Sequence, residues 1–167
     1  MKTTAVIFTL GLSLVSFAAT CRADEWSDLN QKVTDLYQKG AYSEALPLAE
    51  KSLALAEKSY GPEKPETALA LNNLAMLYKK EKRYADARSL YERALKISEK
   101  LVGPDHPDVT VSLNNLALLY AAQGDFKSAE DLSLRALNIL TKAYGKEHPT
   151  EIQAYQRYDE LKRQARV

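Results

Sequence analysis

Leu71, Leu74, Ala75 and Tyr78 stand at i, i+3, i+4 and i+7, and Leu113, Leu116, Ala117 and Tyr120 repeat that spacing 42 residues later. Such spacing puts each set on one face of a helix. A second amphipathic run follows each set: Tyr84, Ala87, Leu90, Tyr91, Ala94 and Leu95, then Phe126, Ala129, Leu132, Ala136 and Leu137. The unit is therefore a helical hairpin. Punctuation by glycine and proline shares the interval, with GPEKP at Gly61, GPDHP at Gly103 and GKEHP at Gly145. One unit is used several times.

Residue size within the unit has a physical purpose, because helices approach closely only where side chains are short. Ala75 and Ala117 serve this on the first helix of each hairpin and Ala87 and Ala129 on the second, while Tyr78, Tyr84, Tyr120 and Phe126 fill the spaces between hairpins. An earlier, worn copy runs through Val33, Tyr37, Tyr42, Ala45, Leu46 and Leu53 to Gly61, with a turn, QKGAY, one residue shorter than KKEKRY. After Gly145 a last helix carries Ile152, Tyr155, Tyr158 and Leu161 on one face and charge on the other, which suits a solvating cap. The predicted organisation is three hairpins, 25–61, 65–103 and 107–145, and a capping helix over 149–166, all within one domain, 24–167. That meets the minimum of about three repeats for a stable stack.

The pattern Leu71-x2-Leu74-Ala75-x2-Tyr78 with Ala87-x3-Tyr91, and Leu113-x2-Leu116-Ala117-x2-Tyr120 with Ala129, resembles the tetratricopeptide repeat. Ser133 replaces the second aromatic. The 42-residue period, with LNNLA and GPDHP, is similar to the longer repeats of kinesin light chains and their bacterial relatives, the extra length going to the second helix and its loop. The resemblance implies an all-α fold, a right-handed superhelical stack of antiparallel hairpins ending in the capping helix. It also implies a concave groove lined by the first helices and used for protein binding.

By position in that family, Asn72 and Asn114 face the groove with Leu69, Met76, Lys79, Val111, Leu118 and Ala121, and Asn73 and Asn115 lie beside it. The amides have two alternative uses: pairing with the backbone of an extended peptide or helix, or bonding the neighbouring repeat. Some members of the family grip a terminal carboxylate with basic groove residues. The corresponding positions here, Gln31, Asp35, Asn72, Met76, Asn114 and Leu118, are not basic, so that clamp is not expected. Lys79, Lys80, Lys82 and Arg83 gather at one turn, either as a solvated edge or as an attraction for an acidic partner.

Composition narrows the function further. In 167 residues, 46% are hydrophobic and 27% charged, as in ordinary globular chains. Lys2 followed by the uncharged run Ala5 to Ala19 is the pattern of a secretory signal peptide, 1–23, with cleavage expected after Ala23. The run spans roughly 22 Å as a helix, short of a ~30 Å hydrocarbon core. Export to the bacterial periplasm or the extracellular space is the expectation. The sole cysteine, Cys21, is a candidate lipidation site, and the alternative it defines is a membrane-anchored envelope assembly lipoprotein or oligomeric factor. Membrane contact is expected only through that lipid or an uncleaved leader.

Removal of Lys2 and Arg22 leaves 21 basic and 22 acidic residues, which gives no electrostatic case for nucleic acid. His106 and His148 stand one repeat apart, two ligands on separate hairpins, and belong more naturally to loops in which Pro107 and Pro149 open the next helix. No G-x-S-x-G, H-E-x-x-H or phosphate loop is present. The chain is therefore expected to be non-catalytic, with no cofactor, metal or small-molecule substrate. Its expected partner is a protein or peptide, and a homo-oligomer is an open option.

Overall fold

The computed structural model describes residues 25–166, so the leader 1–23 and Cys21 lie outside the described residues. Seven helices and no strands form among the described residues. They are α1 (25–38), α2 (Tyr42–Ser59), α3 (Pro65–Lys80), α4 (Tyr84–Val102), α5 (Val109–Ala122), α6 (Phe126–Tyr144) and α7 (Pro149–Gln164). From α2 onward each helix packs on its chain neighbours, and α3 also touches α5. The chain is a stack of hairpins, α1/α2, α3/α4 and α5/α6, closed by α7.

Among the described residues there is no single central core. Small apolar clusters sit instead between successive helices, as in a repeat array whose units contact only their neighbours. Val33, Ala45, Ala49, Leu74 and Leu77 join the first hairpin to the second, and Ala75, Ala87, Tyr91, Leu116 and Leu119 join the second to the third. Ala117 and Ala129 meet Leu161 of α7. The four alanines assigned to close helix contacts are all fully buried.

The first hairpin has a different register from the one its tyrosines suggest. Its turn is closed by Ala41 N–H donating to Leu36 O (2.9 Å), as Arg83 donates to Tyr78 O (2.9 Å) and Asp125 to Tyr120 O (3.0 Å). Leu36, not Tyr37, is thus the counterpart of Tyr78 and Tyr120, and the three turns are equal in length. In this register Asn30 and Thr34, rather than Gln31 and Asp35, align with Asn72 and Met76. Gly40, Lys82 and Gly124 then share one position, and all three have positive φ, 75°, 60° and 81°. Glycine takes that left-handed conformation without cost. Lys82 carries the strain of a side chain in that conformation, although a Cβ at Gly40 or Gly124 meets nothing within 4 Å.

One arginine fastens the second hairpin to the first, and another fastens the third to the second. Arg93 pairs with Glu57 (2.6 Å) and donates to Pro62 O (3.4 Å), while Arg135 pairs with Glu99 (2.7 Å) and donates to Pro104 O (3.0 Å). The planar fork suits one acid and one carbonyl together. Lys100 also pairs with Glu63 across the same boundary. Within α4, Glu92 pairs with Arg88 one turn before it (3.2 Å).

The two histidines and their prolines differ in use. His148 caps α7, its Nδ1 accepting from Thr150 N–H (3.3 Å), and Pro149 opens that helix. Pro107 lies in the turn before α5, which begins at Val109, and His106 Nδ1 accepts from Asp108 N–H (3.2 Å). Both nitrogens act as acceptors. The apolar face expected for α7 is split: Ala154 and Leu161 are buried and Tyr158 packs against Leu137 and Leu140, but Ile152 and Tyr155 are exposed.

Candidate functional site

The first helices α1, α3 and α5 bring three asparagines into one register, Asn30, Asn72 and Asn114, each 42 residues from the next. Their neighbours use them. Asn73 Nδ2 donates to Asn30 Oδ1 (2.8 Å), and Asn115 Nδ2 donates to Asn72 Oδ1 (3.3 Å). The second asparagine of each LNN therefore ties its helix to the preceding first helix. Asn72, Asn73 and Asn115 are thus engaged between repeats, whereas Asn114 Oδ1 is buried without a hydrogen-bond partner among the described residues.

Two depressions flank this row. The smaller, about 30 Å³, lies between α1 and α3 and is lined by Val33, Thr34, Tyr37, Asn73 and Met76. The larger, about 250 Å³, opens between α3, the end of α4 and α5. Leu69, Asn72, Ser98, Leu101, Val102 and Val111 are among its lining residues. Val111 is 59% exposed and Leu69 44%, with Leu101 and Val102 also exposed. Four large apolar side chains facing solvent around one concavity, with an amide at its wall, form a surface suited to an apolar group carrying polar edges.

The remaining expected groove residues fall outside both depressions. Leu118 is exposed on α5. Lys79 is half-buried and forms no ion pair among the described residues; its burial, and then the neighbouring Lys80, hold its ammonium below the usual lysine range. The rest of the basic turn is partly engaged, since Lys80 lies over the rings of Tyr37 and Tyr42 and Arg83 lies over Tyr78 while pairing with Asp86. Lys79 and Lys82 are the cations of that turn without an ion pair or ring contact among the described residues.

Asn30, Leu101 and Val102 belong to this surface and were not among the expected residues. Asn30 had a signal, its position one period before Asn72. Leu101 and Val102 had none, because the same positions in the flanking repeats are Ser59 and Tyr60, and Ala143 and Tyr144. Among the described residues no group of three or more acidic, histidine or cysteine side chains could hold a metal ion, and no helix is long and apolar enough to cross a membrane.

The sequence profile of the tetratricopeptide repeat matches residues 28–100, 67–142 and 112–161. The chain belongs to the tetratricopeptide repeat family. Solved structures similar to this tetratricopeptide chain include BtubC (BKLC) from P. vanneervenii, at a TM-score of 0.75 and 24% identity over 84% of this chain and 56% of that one. The TPR-like repeats of a Podosopora anserina protein named for the kinesin light chain match at 0.75 and 24%, over 84% of this chain and 66% of that one. These likenesses concern the fold, and the chain spans less than two thirds of either structure. No curated protein matches.

Proposed function

We propose that the surface over α1, α3 and α5 docks an extended segment or a helix of a partner protein. The observation that carries this is the pocket of about 250 Å³ between α3, α4 and α5, with exposed Leu69 and Val111 at its walls and Asn72 beside them. Tetratricopeptide repeats typically mediate protein–protein interaction and are generally non-catalytic, which agrees with a binding role. A partner's apolar side chain would enter the pocket. Its backbone would then run along the asparagine row, where amide groups not used between repeats can donate and accept. Met76 and Leu118 would extend the apolar contact, and Lys79 would sit at one edge.

The test is affinity capture with the wild-type chain beside a Leu69→Asp/Val111→Asp variant of equal melting temperature. Both side chains are exposed, so the fold is expected to tolerate the change. A protein held by the wild type and lost by the variant supports the reading; one held equally by both removes the pocket from it.

Export with loss of residues 1–23 is proposed from the basic and apolar pattern at the N-terminus alone. The intact mass of the protein recovered from the cell envelope tests it. A mass starting at Asp24 supports cleavage, and an added diacylglycerol on Cys21 supports the lipoprotein alternative instead.

A further inference from the structure

The pocket of about 250 Å³ between α3, α4 and α5 has a single charged residue in its lining, Asp108, which immediately precedes α5. The Asp108 side chain is 75% exposed and makes no capping bond to that helix. His106 Nδ1 accepts from the Asp108 N–H (3.2 Å), so that ring nitrogen offers no proton to the carboxylate 3.5 Å away. Glu66 occupies the same position one period earlier. Each acid stands three residues before an exposed apolar side chain of the pocket, Leu69 or Val111. The positive ends of α3 and α5 favour both carboxylates in their ionised form. Cations of the neighbouring elements are engaged elsewhere. Lys100 pairs with Glu63, and with Lys96 it lines a separate depression that also includes Pro62 and Glu63. Arg135 holds Glu99, and Lys142 lies 3.9 Å from Asp105. Lys64, just before α3, is the one cation beside the two carboxylates without an ion pair among the described residues, so acid remains in excess.

The amide in the pocket wall points the same way. Asn72 is only 9% exposed; its Oδ1 accepts from Asn115 (3.3 Å), while its Nδ2 has no hydrogen-bond partner among the described residues. Apolar walls, one spare donor and an acidic rim together select three features in an occupant. We propose that this pocket takes a protein segment in which a large apolar side chain stands beside a lysine or arginine. The apolar side chain sits between Leu69 and Val111, and a backbone carbonyl of the segment accepts from Asn72 Nδ2. The cation pairs with Asp108, in the field of Glu66. An acidic segment would set carboxylate against carboxylate and is rejected at the same rim. This inference rests on the docking role proposed above and adds the polarity of the partner.

Selection of a random peptide library displayed on phage against the immobilised full chain tests this. Enriched peptides are expected to carry lysine or arginine beside a large apolar residue, and to be lost on a Leu69→Ser/Val111→Ser variant, which adds no charge. In solution, Asp108→Asn should weaken the leading peptide about threefold, the size of an exposed ion pair. Replacing that peptide's cation by glutamine should weaken its binding to wild type by the same factor and leave its binding to Asp108→Asn unchanged. A purely structural Asp108 would not show such coupling. Peptides lost on the double serine variant but lacking a cation overturn the inference and leave the docking role standing. So does a cation whose effect is the same in Asp108→Asn as in wild type. No enrichment, or peptides held equally by the double serine variant, overturns both.

Discussion

Asn115 donates from Nδ2 to Oδ1 of Asn72, 3.3 Å away on the preceding first helix, and Asn73 does the same to Asn30 at 2.8 Å. The side chains that line the proposed docking surface therefore also set the spacing of the helices that form it. Asn73→Ala and Asn115→Ala should each cost about 1 kcal/mol, the net worth of a part-buried hydrogen bond. Asn114→Ala removes an oxygen that has no partner and should cost less than Asn115→Ala. Urea denaturation of the three variants checks the order.

Tyr91 is fully buried, and its hydroxyl has no hydrogen-bond partner among the described residues. Tyr91→Phe is expected to raise stability by about 1 kcal/mol, because an uncompensated polar group leaves the interior. Burial also pushes the Tyr91 phenol well above its ordinary value of 10.0. A raised folded-state value means that the contribution to stability is complete below the unfolded value and lost as pH rises past it, since only the unfolded chain ionises there. Alkaline denaturation above about pH 10 should therefore be less steep in Tyr91→Phe than in wild type. Denaturant midpoints at neutral and alkaline pH measure both effects.

Lys82 adopts φ 60° at the position that Gly40 and Gly124 hold in the other hairpins. Lys82→Gly should relieve the left-handed strain and stabilise the chain by about 1 kcal/mol, offset in part by the added freedom of the unfolded state. A lower melting temperature in Lys82→Gly would contradict this account of the turn.

Arg135 holds Glu99 and the Pro104 carbonyl at once, on the line between the second and third hairpins. Its side chain is 39% exposed, so solvent screening keeps the expected loss in Arg135→Ala to about 1 kcal/mol. Lysine is not expected to restore it, lacking the planar fork. Chemical denaturation of the alanine and lysine variants distinguishes the fork from simple charge.

Much of the stack was legible in the chain because its determinants are local. Alanines and leucines at helical spacing fix which faces pack, and Ala75, Ala87, Ala117 and Ala129 are buried as their size requires. The register of α1 was not legible. Tyr37 has the side chain expected of that position, but the turn is counted by backbone bonds, which close on Leu36. The arginine fasteners link residues 31 to 36 apart and become visible only when hairpins are stacked. The same holds for the pocket: Leu69 and Val111 follow from helix position, whereas Leu101 and Val102 reach it from the end of another helix. Periodicity placed Ile152, Tyr155, Tyr158 and Leu161 together, yet among the described residues α7 packs against the stack on one side only, so that face divides between contact and solvent.

The measurement that bears most directly on the docking role is site-specific photo-crosslinking in cells, with a photoreactive residue at Val111 compared with one at exposed Leu134 on α6. The account predicts a discrete crosslinked protein from position 111, absent at 134 and lost when Leu69→Asp is added. No crosslink at 111, or the same product from both positions, would contradict it.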